Sequence, residues 1–172
     1  GLSIGKLARE TGLSKSGLFA HFGSKEELQI QVLDRAAELF TDRVVRAGIS
    51  APKGEPRVRA LLEHYLAWAD SRTIPGGCVF MSASFELDDR PGPVRDALIH
   101  HVQDLRGVFH KAAAIAIESG DFRADLDPDQ FAFDVHAIAL AYHVQLRLFE
   151  HPDARKRVWS SIERILSAAR AA

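Results

Sequence analysis

An all-α fold is what this sequence predicts, from three observations. Apolar residues recur at helical spacing in nearly every segment, turn and cap residues punctuate those segments, and no stretch alternates apolar and polar as a half-buried strand would. Ser3 can cap a short helix in which Ile4, Leu7, Ala8 and Thr11 share a face, with Gly12 as its stop. Ser14 caps a second short helix, 15–22, closed by Gly23. Ser24 with Glu27 forms a capping box that opens a long helix to about residue 47. Its predicted stripe is Leu28, Val32, Ala36, Leu39, Phe40, Val44 and Ala47, and Gly48 is its predicted end.

Residues 49–56, rich in proline and glycine, predict a linker. The next helix, about 57–71, buries Val58, Leu61, Leu62, Tyr65, Leu66 and Ala69. After a break at Pro75-Gly76-Gly77, residues 78–87 are small or apolar on nearly all sides, as in a central buried helix, although a buried strand also fits this length. A helix over about 93–119 keeps Val94, Leu98, Val102, Leu105, Phe109, Ala112 and Ala116 on one face. Asp127 and Pro128 supply the cap and first position of a helix over 128–149. Its apolar residues cover two faces: Phe131, Val135, Ile138 and Tyr142 on one, Ala137, Leu140, Val144 and Leu148 on the other. A final amphipathic helix over 153–171 carries Val158, Ile162, Ile165 and Ala169. The two-faced helix and the last one suit a four-helix interface with a second copy of the chain.

The chain has 172 residues, 47% of them hydrophobic and 26% charged, which suits an ordinary globular protein with one good core or two small ones. No apolar run approaches the roughly 20 residues of a bilayer span, and no leader pattern is visible. The single cysteine, Cys78, excludes an intramolecular disulfide. A cytoplasmic protein with no membrane partner is expected. Net charge is −1, yet residues 1–25 hold Lys6, Arg9, Lys15 and Lys25 against Glu10 alone. Such a basic end permits contact with phosphates.

Two short helices joined through Gly12-Leu13-Ser14 match a helix-turn-helix. Leu18 and Phe22 point inward on the second, with Leu13 as a plug between the two, while Lys15, Ser16, Gly17 and His21 are left outward or near its N-terminal end. That end carries free N–H groups and a positive dipole, and its small side chains permit close approach to a major groove. The bland alternative is a small helical hairpin on a surface.

The stretch IGKLARETGLSKSGLFAHFGSKEEL, residues 4–28, closely resembles the DNA-binding region of the TetR family of bacterial transcriptional regulators. Ile4, Gly12, Ser14, Leu18, His21, Phe22, Ser24, Lys25 and Leu28 match that family's pattern, with Leu13 and Phe19 as near matches. The resemblance implies a head over 1–47, comprising the helix-turn-helix and connecting helix, and a ligand-binding and dimerisation body over 48–172. The first helix of such a head falls before Ser3 and is expected to be missing from this sequence. A homodimer through 128–149 and 153–171 would place two recognition helices in successive major grooves of a palindromic double-stranded operator, as a repressor released by a small effector. Lys15 and Ser16 would lie near base edges or phosphates, Ser14 and His21 near phosphates, and Lys25 would clamp the backbone. Phe19 stands where the family usually has tyrosine and offers no hydroxyl, Ala20 replaces an often aromatic neighbour, and Gly17 costs the helix about 1 kcal/mol relative to alanine.

Candidate ligand-binding residues are Tyr65, Trp68, Phe80, Met81, Phe85, Phe109, His110, His136 and Tyr142, each of which also suits plain core packing. As a set they suggest a largely apolar effector with one or two polar anchors. Eight histidines raise a metal site, but none is paired at the i, i+4 spacing of a metal-binding helix and Cys78 has no second cysteine, so no metal and no cofactor are expected. Asp88-Asp89 is followed by Gly92 where an aspartate-rich metal motif needs another acid. No nucleophile triad, phosphate loop or dinucleotide fingerprint is present, so an enzyme is not expected. The rival reading is a helical small-molecule-binding, or metal- or redox-sensing, protein whose head binds DNA weakly or not at all. Phe19, Ala20 and the missing first helix motivate it.

Overall fold

The computed structural model describes residues 9, 12, 14–70 and 77–171, and of Lys15 and Phe19 it describes the backbone alone. The expected helix of Ile4, Leu7, Ala8 and Thr11, the Leu13 plug and the break at Pro75-Gly76 lie outside the described residues. Among the described residues every extended element is helical, and β pairing is confined to one isolated bridge between Phe122 and Arg170.

Helix α1 (Lys15–Phe22) is followed by α2 (Lys25–Phe40), a π-helical stretch over Thr41–Arg46 and a closing turn, α3 (Ala47–Ile49). The body continues with α4 (Glu55–Ala69), α5 (Val79–Leu87), α6 (Pro93–Glu118), α7 (Pro128–Arg147) and α8 (Ala154–Ala169). Helix α6 is the central post: α2, α4, α5 and α7 all pack on it, and α8 packs on α7. One core runs from Leu33 and Phe40 through Leu61, Tyr65 and Phe109 to Leu166 and Ala169. Side chains of this size contribute about 1.5–3 kcal/mol each when fully buried.

Several sequence expectations change. On α2, Leu33 is buried and Val32 is 42% exposed, because the inward face rotates where the helix leaves the head and enters the body. Gly48 does not stop the long helix. It is buried in α3, where a Cβ would stand 2.5 Å from Leu61 Cδ2 and 3.0 Å from Leu61 Cα, so its smallness lets α3 and α4 touch. The π-helical stretch carries no sequence marker; the Thr41 N–H is shared between the Ala37 and Glu38 carbonyls. Helix α4 starts at Glu55, earlier than expected, with Gly54 at φ +93° ahead of it. There a Cβ would collide with Asp121 Oδ2 at 1.8 Å, and that same carboxylate accepts the Glu55 N–H at 2.8 Å. Helix α5 is not buried all round, since Phe85 is 60% exposed.

Two charged clusters fix the ends of the body. Glu55 takes both Arg59 (3.1 Å) and Arg170 (2.7 Å), and Arg59 also holds Glu163, tying α4 to α8. The Arg170 guanidinium, then Arg59, holds the Glu55 carboxyl below the usual carboxylate range against the opposing effect of burial. At the other end Asp70, just after α4, accepts from the Tyr142 hydroxyl of α7 and from Arg155 of α8.

Candidate functional site

The head presents the features a groove-reading helix needs. Ser14 Oγ accepts the Gly17 N–H at 2.9 Å and lies 3.0 Å from Ser16 Oγ, which caps the N-terminus of α1. Leu18 is buried at 2% exposure and Phe22 is half-buried, so the inner face is as the spacing predicts. Ser16, Ala20 and His21 are exposed, and the His21 ring stands edge-on to Phe22 with centroids 4.6 Å apart. Gly23 at φ +76° turns the chain into the next cap. There Ser24 Oγ accepts the Glu27 N–H at 2.9 Å. The reciprocal half of the capping box does not form: the Ser24 N–H donates to the Phe22 carbonyl at 2.9 Å, and the Glu27 carboxylate accepts from Gln31 at 3.3 Å. Lys25 follows at the first position of α2, exposed, with no ion pair among the described residues. The Lys15 and Phe19 side chains lie outside what is described.

The body gathers most of the expected ligand-binding residues into one aromatic interior. Tyr65 stands edge-on to Phe40 at 5.7 Å and beside Phe109 at 5.3 Å, and Trp68 meets Phe40 edge-on at 5.8 Å. Phe80 and Met81 are buried with Cys78 at the start of α5. Tyr65 Oη in this interior has no hydrogen-bond partner among the described residues, and neither do His136 Nδ1, His143 Nδ1 and Arg106 Nε elsewhere in the body; the Trp68 indole is turned to the Cys78 thiol. Buried donors and acceptors without a partner are costly. Burial pushes the Tyr65 hydroxyl well above its ordinary value, and the neighbouring Cys78 adds to the shift. Burial also raises the Cys78 thiol, opposed by hydrogen bonds from the Met81 and Phe80 backbone and by the Trp68 indole. A thiol held protonated in this way is a small apolar filler. His136 is held below the ordinary imidazole value by burial first and the Arg106 charge second; burial and Arg147 do the same to His143.

Two of the expected ligand-binding residues, Phe85 and His110, stand apart from this core, and a third, Tyr142, lies in it with its hydroxyl already engaged. Phe85 faces outward. His110, its side chain 44% exposed, pairs through Nδ1 with Asp129 at 2.8 Å. The buried Tyr142 spends its hydroxyl on Asp70, and burial with that carboxylate raises its pKa. The sequence reading missed Arg106, His143 and Asp70. A signal existed for Arg106, one turn after Val102 at the edge of the apolar stripe of α6.

Among the described residues no group of three or more His, Cys, Asp or Glu side chains comes together as a metal site, and no helix is long and apolar enough to cross a membrane.

A short capped helix ahead of a long connecting helix, leading into a helical body with an aromatic interior, is the arrangement expected where a helix-turn-helix head joins a helical body. The sequence profile described as "Tetracyclin repressor-like, C-terminal domain" matches residues 54–162, and that described as "Bacterial regulatory proteins, tetR family" matches residues 1–32. The chain belongs to the TetR family of bacterial transcriptional regulators. A TetR transcriptional regulator from Chloroflexus aurantiacus superposes with a TM-score of 0.85 at 22% identity, covering 99% of this chain and 86% of its own. SCO4454, a TetR-family regulator from Streptomyces coelicolor, gives 0.81 at 22% identity over 98% of this chain and 85% of its own. AibR, solved in complex with isovaleryl coenzyme A and operator DNA, gives 0.69 at 21% identity over 92% of this chain and 85% of its own. At these identities the likeness defines the fold. A comparison with curated proteins gave no match.

Proposed function

We propose that this chain is a cytoplasmic, ligand-responsive repressor without enzymatic activity that binds a palindromic operator as a homodimer. Its head spans 1–47 and its sensing and dimerisation body 48–172. Ser14, Lys15, Ser16, Gly17, Phe19 and His21 face the groove and Lys25 clamps the backbone. A small, largely apolar effector enters among Tyr65, Trp68, Phe80, Met81, Phe109 and His136. The observation that carries this reading is the position of Phe40: it ends the helix that Lys25 begins, and its ring rests edge-on against both Tyr65 and Trp68. A 16-residue helix is about 24 Å long, so a small displacement at Phe40 is magnified at the head. Release follows if that displacement moves the paired recognition helices away from the roughly 34–36 Å spacing of consecutive major grooves.

Dimerisation through 128–149 and 153–171 is supported by Phe133, Leu148 and Phe149, which are 55%, 74% and 62% exposed on α7 and just beyond it. Sedimentation at micromolar concentration checks it, and a strict monomer would remove the mechanism. The DNA reading is tested by gel shift against the gene's own upstream region over a salt series. Lys25→Ala is expected to weaken binding to all sequences alike and to reduce the salt slope by about 1. An unchanged affinity and slope would show that Lys25 does not meet a phosphate.

A further inference from the structure

The aromatic interior is not the only place where the body can hold a ligand. A groove of about 310 Å³ runs between α5 and α6, at the lower end of the range for small-molecule sites. Its apolar wall is Leu87, Leu98, Ile99 and Val102, and Gln103 and Arg106 close it at one end. A second groove of about 230 Å³, towards α7, is also lined by Gln103 and Arg106, so these two side chains stand where the grooves meet.

Arg106 is in an unusual state for a cation. Its Nε is buried without a partner, and its guanidinium makes no hydrogen bond or ion pair among the described residues. The other charges of the grooves are otherwise engaged. Arg95 Nε donates to the Asp88 carbonyl at 3.2 Å, the Asp88 carboxylate accepts the Asp89 N–H at 2.9 Å, and Asp129 is paired with His110. A half-buried guanidinium without a counter-charge, beside an apolar wall, is suited to an anion that brings its own apolar tail.

We propose that Arg106, assisted by the Gln103 amide, holds the carboxylate of an amphipathic acid whose tail lies along Leu87, Leu98, Ile99 and Val102. This rests on the reading of the body as the effector-binding part and adds to the aromatic interior a second, separate site for a ligand of a different chemical class.

Octanoate and its neutral counterpart octanamide, titrated into the full chain by calorimetry, test the assignment. Octanoate is expected to saturate one site per chain, and octanamide to bind at least about tenfold more weakly, the loss of one charge-assisted pair. Arg106→Gln should weaken octanoate at least about tenfold and leave octanamide unchanged. Ile99→Glu, at a position 37% exposed, should weaken both while the far-ultraviolet circular dichroism spectrum stays unchanged. Equal affinity for the two ligands, no saturable binding of octanoate, or undiminished octanoate binding by Arg106→Gln would each overturn the site. A gel shift run with octanoate separates this site from the reading it rests on: binding at Arg106 with unchanged operator affinity would leave the site standing and show that it is not coupled to the head.

Discussion

The head and the body are held together by different physics. In the body, one continuous core joins Leu33 to Ala169, crossed by charged ties such as Glu55–Arg170. In the described head, Leu18 and Leu28 are buried yet belong to no part of that core. Among the described residues at this end, the ties recorded are local: the Ser14 cap on α1 and the Ser24 cap on α2. A region held by a few apolar contacts and caps opens at a lower free energy than one held by a common core. The difference suits a reading head that must be repositioned on a body that must not melt, with α2 as the one long element shared by both.

The largest effect should come from breaking the body. Phe109 is 1% exposed against Tyr65, and Phe109→Ala should cost about 3–5 kcal/mol in urea unfolding followed by circular dichroism. A cost under about 1 kcal/mol would mean that the ring faces open space rather than packed neighbours. Leu18→Ala should cost about 2 kcal/mol, at the low end of such truncations. That loss should remain in the head: hydrogen exchange over residues 15–22 should accelerate and operator binding should fall, while the body's melting temperature holds. If the body melts earlier by the same amount, head and body are one cooperative unit and the contrast fails.

Much of this contrast was legible in the sequence, because it is written in local signals. Caps at Ser14, Ser24 and Asp127 and the apolar stripes of α4 and α6 sit where period and capping chemistry place them. What was not legible depends on tertiary neighbours. Val32 and Leu33 exchange roles because α2 changes partner midway, and a single helical period cannot encode that turn. Gly48 carries the sequence signature of a stop but serves a close approach to Leu61. Phe85 has the composition of a core residue and faces outward. Arg106 is marked in the sequence by its place one turn after Val102, but the lack of a partner for its Nε appears only in the fold, since no spacing rule counts partners.

A smaller effect separates the caps. Ser24→Ala should cost about 1 kcal/mol by leaving the Glu27 N–H without its acceptor. Because α2 belongs to both regions, that loss should appear at the head end of α2 as faster exchange of residues 25–28 and weaker DNA binding. Equal protection in the variant would mean that packing of Leu28, not the cap, fixes this turn.

The smallest effect belongs to the body alone and is read by pH. His136 and His143 have folded pKa values below the ordinary 6.5, set mainly by burial and secondly by Arg106 and Arg147. Between each lowered value and 6.5 the unfolded chain binds protons that the native chain does not, so stability rises with pH across that interval and is lost on acidification below about 6.5. Glu55, held low by Arg170 and then Arg59, has the same sign in a separate window that opens only below 4.5. Body melting followed by circular dichroism should therefore decline gently from pH 6.5 downward and more steeply once Glu55 takes up its proton. His136→Gln should flatten the first interval and leave the second, and Glu55→Gln the reverse. An anion seated at Arg106 would weaken the repulsion that Arg106 exerts on His136 and so shrink the first interval. If the slope near pH 6 is the same with and without octanoate, Arg106 and His136 do not share the bound anion's field.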